Sequence, residues 1–164
     1  MKKLLIFSLL PVLMMACNSS GDKTSENKDT TNHDMHMPST PVEMPPMAEV
    51  PAGAKVYFAN LKNGQTVTSP FKVEMAVSGL SVDTANGHLK PASGHHHILI
   101  DMDSVAMGTV IPKDSVHLHF GNAQTSAEVK LTPGKHTLTL QFADALHRSY
   151  GSRLTNKVML NVKQ

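Results

Sequence analysis

The chain has 164 residues, 40% of them hydrophobic and 17% charged, with 15 Lys+Arg against 13 Asp+Glu. Two of those lysines, Lys2 and Lys3, sit in an N-terminal leader; without them 15 falls to 13 basic residues, equal to the 13 acidic ones, which excludes a general basic field for nucleic acid or anionic lipid. A single cysteine excludes an intramolecular disulfide and a thiolate zinc site, while ten His, eleven Met and no Trp set the composition apart.

Residues 1–16 read as a signal peptide. Lys2 and Lys3 give a positive start, Leu4 to Leu13 form a short apolar run, and Ala16 places a small residue before Cys17. The apolar run is well short of the roughly 20 residues that cross a bilayer as a helix. Met14-Met15-Ala16-Cys17 resembles a bacterial lipobox, which implies cleavage before Cys17 and lipid on its sulfur. The expectation is an exported protein anchored to a membrane by that lipid. Asn18 is not an Asp-type retention residue, so the outer membrane facing the periplasm is the expected destination.

Residues 17–54 read as a disordered tether. Asn18 to Asn32 is almost wholly polar and has too little apolar surface to bury a core. Pro38 to Pro51 is proline-rich and semi-extended. As a coil the segment would reach about 35 Å. Within it, His33, Met35, His36 and Met37 pack two imidazoles and two thioethers into five residues, and Met44 and Met47 follow. Thioether with imidazole is a donor set that selects Cu(I) where thiolates are oxidised, and short His-rich tracts are a compositional sign of metal binding.

Residues 55–164 read as one all-β domain. Strands are expected at Lys55–Ala59, Pro70–Ser78, His96–Met102, His117–Phe120, Ala127–Leu131, His136–Phe142 and Lys157–Val162. Phe71, Val73, Met75 and Val77 share one face of the second of these, and Ile98, Ile100 and Met102 one face of the third. Only Ala143 to Ser149 has the pattern of a helical turn. About seven short strands at regular spacing point to an immunoglobulin-like β-sandwich.

Six histidines fall between positions 88 and 119. Side chains two apart on a strand share a face, so His95, His97 and Asp101 are expected on one side, and His117 and His119 together on theirs. Residues so spaced lie ~6.5–7 Å apart along the strand, within reach of one ion for imidazole arms. Neutral imidazole with carboxylate suits Zn or Cu(II). His96 falls on the apolar face, where a hydrogen-bonded core role competes with ligation, and it stays in the candidate set as the middle of the triple-His motif. His147, in the turn-like Asp144 to Tyr150, is a candidate further ligand. His136 reads as structural at a strand start and His88 as a solvated loop residue.

Val56-Tyr-Phe-Ala-Asn-Leu-Lys-Asn-Gly64, Gly94-His-His-His-Ile-Leu-Ile-Asp101, His117-Leu-His-Phe-Gly121 with Gln124, and Pro133-Gly-Lys-His-Thr-Leu138 resemble an uncharacterised bacterial family known as domain of unknown function 4399. That resemblance implies periplasmic export and an Ig-like sandwich, and brings no activity with it. The His117-Leu-His-Phe-Gly121 strand is also similar to a ligand strand of copper–zinc superoxide dismutase.

Three functions follow as expectations. The first is copper binding, with zinc as the alternative, for metal handling or buffering alongside a metal-donor or metal-acceptor envelope protein. His95, His97, His117 and His119 would be the ligands, Asp101 a ligand or an orienting partner, and His33, Met35, His36 and Met37 the capture segment. The second is a metal-dependent hydrolase or dismutase-like enzyme, for which Asp101 or Glu128 would be the acid or base. The third is a structural Ig-like module with a buried histidine network.

Overall fold

The computed structural model describes residues 43–164. The expected leader at 1–16, Cys17 and the His33, Met35, His36, Met37 segment lie outside the described residues. Glu43–Gln164 form one compact unit. Met47 and Val50, placed in the tether on sequence grounds, pack against its core, and Arg153 Nη2 donates to the Val50 carbonyl at 2.8 Å.

Nine strands follow in chain order: β1 (Lys55–Phe58), β2 (Gln65–Thr68), β3 (Phe71–Ser78), β4 (Ser81–Val82), β5 (Ser93–Ile100), β6 (His117–Phe120), β7 (Ser126–Val129), β8 (Gly134–Ala143) and β9 (Thr155–Lys163). They build two sheets, one ordered β1-β3-β7 and a larger one ordered β2-β9-β8-β5-β4, with β6 also paired to β5. The described residues form an all-β sandwich. Alternation places the strands as sequence reasoning expects. Val56, Phe58, Val73 and Met75 from the small sheet and Ile98, Leu138, Leu140, Phe142 and Leu160 from the large one fill the space between. Each such side chain contributes roughly 1.5–3 kcal/mol by leaving water.

Two strands go beyond the seven expected. In β2 only Val67 is buried, so an edge strand pairing parallel with β9 leaves no apolar alternation to read. Strand β4 has two residues and pairs parallel with the start of β5. The helical turn expected at Ala143–Ser149 is corrected. Strand β8 runs on through Ala143, which bridges Ser149, and a short 3-10 turn falls at Gly151–Leu154 instead. Extended pairing across a tight loop satisfies those backbone groups without helix.

Candidate metal centre

Strand β5 is buried on both faces over Ser93–Leu99. Its inner face, with His96 and Ile98, meets the sandwich core. Its outer face, with His95, His97 and Leu99, is covered by two loops, one following β5 and one following β8. Ile111 and Val105 from the first pack on Leu99 and Ala143 to make a small second core. Buried Gln141 ties the cover down, donating to the Gly151 carbonyl at 2.9 Å and accepting from Val105 N at 3.2 Å. The two loops also bond each other, through Ile111 N to the His147 carbonyl and Ser149 N to the Thr109 carbonyl, each at 2.9 Å.

Four imidazoles from three segments converge under this cover. Register sets His119 of β6 opposite His97 of β5, and the loop after β8 brings His147. His95, His97 and His119 each offer a ring nitrogen within 4.8 Å of the other two, a group that could hold a metal ion. The Nε2 atoms of His95 and His97 are 2.9 Å apart; those of His119 and His147 are 3.1 Å apart. Ring centroids of His95 lie 5.0 Å from both His119 and His147. His95 and His97 are fully buried, whereas His119 and His147 are half-buried. The cluster is a well with two rings at its floor and two at its mouth.

Burial decides the protonation state. It pushes His95 down to about 3, with His147 and His119 adding to the effect. It pushes His97 further, to about 2, with His95 and His119 next in weight. His119 is also lowered, by burial first and then by His147 and Lys113. These rings are therefore neutral at ordinary pH, the form that binds a metal through a nitrogen lone pair. In a neutral pair only one Nε2 carries a proton, so each Nε2···Nε2 contact is at best one hydrogen bond. The Nδ1 atoms of His95 and His97 are buried with no hydrogen-bond partner.

Two glycines make the close approach possible. A Cβ on Gly94 would collide with the Ala143 carbonyl, and one on Gly121 with Cε1 and Nε2 of His119. The glycines that bracket the two His motifs are thus part of the site's shape.

Other expected ligands go elsewhere. His117 lies on the cluster's face of β6 but pairs with Leu99, and its Nδ1 donates to Asp114 at 2.8 Å. The expectation for Asp101 is corrected. Strand β5 ends at Ile100, Asp101 turns to φ 55°, and the alternation that put it beside His97 stops there. Its carboxylate instead accepts from His136 Nδ1 at 2.8 Å and Thr137 N at 2.7 Å, roughly 20 Å along the strand from His95. His96 is also corrected. It points into the sandwich core, edge-on to Phe142 with centroids 5.2 Å apart, and neither of its nitrogens has a partner. Burial pushes it down to about 4.

Asp144 and Arg148 escaped the sequence reading. The Asp144 carboxylate accepts from Leu146 N and Arg148 N, both at 2.9 Å, and from Arg148 Nε at 2.7 Å. Both side chains of this ion pair are nearly buried. Together they hold His147 at φ 64°, in the left-handed region where His, Asn and Asp are the non-glycine residues most at home. The Asp144-x-x-His147-Arg148 spacing was the available signal, and it suggests a helix face when read without the fold.

Compared with known proteins, residues 73–163 match the family model described as Domain of unknown function (DUF4399). The match runs from within β3 to the end of β9 with both His motifs, and the Val56 to Gly64 motif lies ahead of it. No curated protein and no solved structure matches the chain.

Proposed function

Since the chain belongs to the domain of unknown function 4399 family, whose description assigns no activity, we propose from the site itself that this is a copper-binding protein of the cell envelope. Lipid on Cys17 would hold it to a membrane, and the cluster of His95, His97, His119 and His147 would bind the ion for buffering or for transfer to an envelope partner. The observation that carries this reading is the convergence of imidazoles from β5, β6 and the loop after β8, two of them fully buried. Imidazole suits copper and zinc alike; the choice of copper rests on the Met/His pattern of His33, Met35, His36 and Met37. The half-buried rings at the mouth provide the route by which an ion would exchange.

A structural histidine network is the second reading, favoured by the 2.9 and 3.1 Å ring contacts. Against it stands an energetic imbalance. Two neutral–neutral hydrogen bonds contribute about 1 kcal/mol each, while unpartnered buried nitrogens on His95 and His97 cost about 1–3 kcal/mol each. Metal held at the converging Nε2 atoms would leave those Nδ1 atoms as they are, but its binding free energy, on the order of 10 kcal/mol in structural zinc sites, would exceed their cost. Titration calorimetry with copper and zinc on the wild-type chain and a His119→Ala/His147→Ala variant decides between them. Stoichiometric binding that the variant loses supports a metal centre. A folded, metal-free wild type that binds no tighter than a surface histidine pair leaves the network reading in its place.

A further inference from the structure

The cluster offers imidazole and no anion. Of the acidic residues close to it in sequence, Asp114 is engaged by His117 and Asp144 is matched by Arg148 in a nearly buried pair. Among the described residues the group of side chains that converges here as a possible metal site is His95, His97 and His119, with no carboxylate in it. The floor of the well is fully buried and walled by Leu99, Ala143 and Ile111.

An ion held there keeps its whole charge in a weakly polar surrounding. Desolvation cost rises with the square of the charge, so a dication is about four times as costly to bury as a monocation of similar size. Carboxylate or thiolate ligands offset that cost in many dication sites, and an all-imidazole site does so with a bound hydroxide; this cluster has neither carboxylate nor thiolate. A dication would need to bring its own anion, such as hydroxide or chloride. Resting on the metal-binding reading above, we propose that the His95, His97, His119 and His147 cluster is charge-selective: it holds a soft monovalent cation, copper(I), in preference to copper(II) or zinc(II). The same set of neutral, polarisable donors stabilises the reduced ion and makes the bound copper hard to oxidise.

The test is a set of titrations in chloride-free buffer on the full-length chain carrying Cys17→Ser and Ser in place of His33, Met35, His36 and Met37, so that copper(I) held by those donors is not read as the cluster's. Copper(I) is added anaerobically in competition with a copper(I) chelator, and copper(II) and zinc(II) are titrated separately. Copper(I) is expected to bind at least about a hundredfold more tightly than copper(II), raising the bound couple's reduction potential by about 120 mV over aqueous copper at 59 mV per decade. Zinc(II) or copper(II) binding as tightly as copper(I) overturns the charge selectivity and leaves a metal site standing. Failure of all three ions to bind in a manner dependent on His119 and His147 sinks the metal reading itself. A second variant keeps the charge argument exposed. His147→Asp restores an anion at the mouth on a left-handed backbone that Asp tolerates. It is expected to narrow the copper(I) preference at least tenfold and to strengthen zinc(II), and an unchanged preference overturns the proposal.

Discussion

Strand β5 carries a histidine environment at each end, and the two are opposites. At its start His95 and His97 are fully buried, face other imidazoles and have unpartnered Nδ1 atoms. Just past its other end Asp101 and His136 form a half-exposed pair in which every ring nitrogen has an oxygen partner, His136 Nε2 reaching the Thr132 carbonyl at 3.0 Å. The exposed pair is satisfied by its own hydrogen bonds. The buried cluster has ring nitrogens facing ring nitrogens and no oxygen partner for the Nδ1 atoms of His95 and His97. The same residue types thus take different roles because one end is roofed by loops and the other is open to water.

The comparison breaks most visibly through ligand removal. His119→Ala/His147→Ala is expected to weaken metal binding by more than about a thousandfold, whereas Asp101→Asn/His136→Ala leaves it within about twofold; calorimetry on both variants checks this. Equal losses would show that the two ends are not distinct. Next in size is the roof. Arg148→Met leaves the Asp144 carboxylate buried and unpaired, for an expected loss of about 3–5 kcal/mol read by urea unfolding. Asn at Asp101, with its half-exposed carboxylate, costs no more than about 1 kcal/mol in the same assay.

Acid should distinguish the ends in a third way. An unfolded histidine takes up a proton below about pH 6.5, while the folded chain keeps His96 neutral to about 4, His95 to about 3 and His97 to about 2. The unfolded state therefore binds more protons throughout that window. The stability these rings contribute is complete above pH 6.5 and drains away as pH falls, by roughly 2–3 kcal/mol per ring near pH 4.5. Denaturant midpoints between pH 7 and 4.5 measure it. A flat profile would mean that the three rings are solvated. A more local effect is expected at Gly121, where Ala pushes His119 aside. It should cost about 1–3 kcal/mol of stability and about tenfold in metal affinity, with His136 chemical shifts unmoved in NMR spectra.

Much of this was legible in the chain. Clean alternation over Phe71–Val77 and Ile98–Ile100 marked strands whose inner faces became the core, and His117–Phe120 was read with the bounds the structure has. The pairs His95/His97 and His117/His119 were each read as sharing a face, and that follows from strand geometry alone. Asp101 was misplaced because parity holds only while a strand continues, and a positive φ ended it. His96 entered as a ligand candidate through its neighbours in sequence, although its own parity already pointed to the core. Strand β2 was missed because an edge strand with one buried residue carries no pattern.

By itself the sequence determined what depends on near neighbours: all-β character, which side chains share a face, and the glycine beside each His motif. Only the tertiary structure decided which histidines meet. Register put His119 rather than His117 beside His97, and the Asp144–Arg148 pair swung His147 in from fifty residues beyond His97. Burial, and with it the neutrality of the rings, came from loops far along the chain closing over the sheet. Those are long-range contacts, and no local propensity encodes which distant segment will cover a given face.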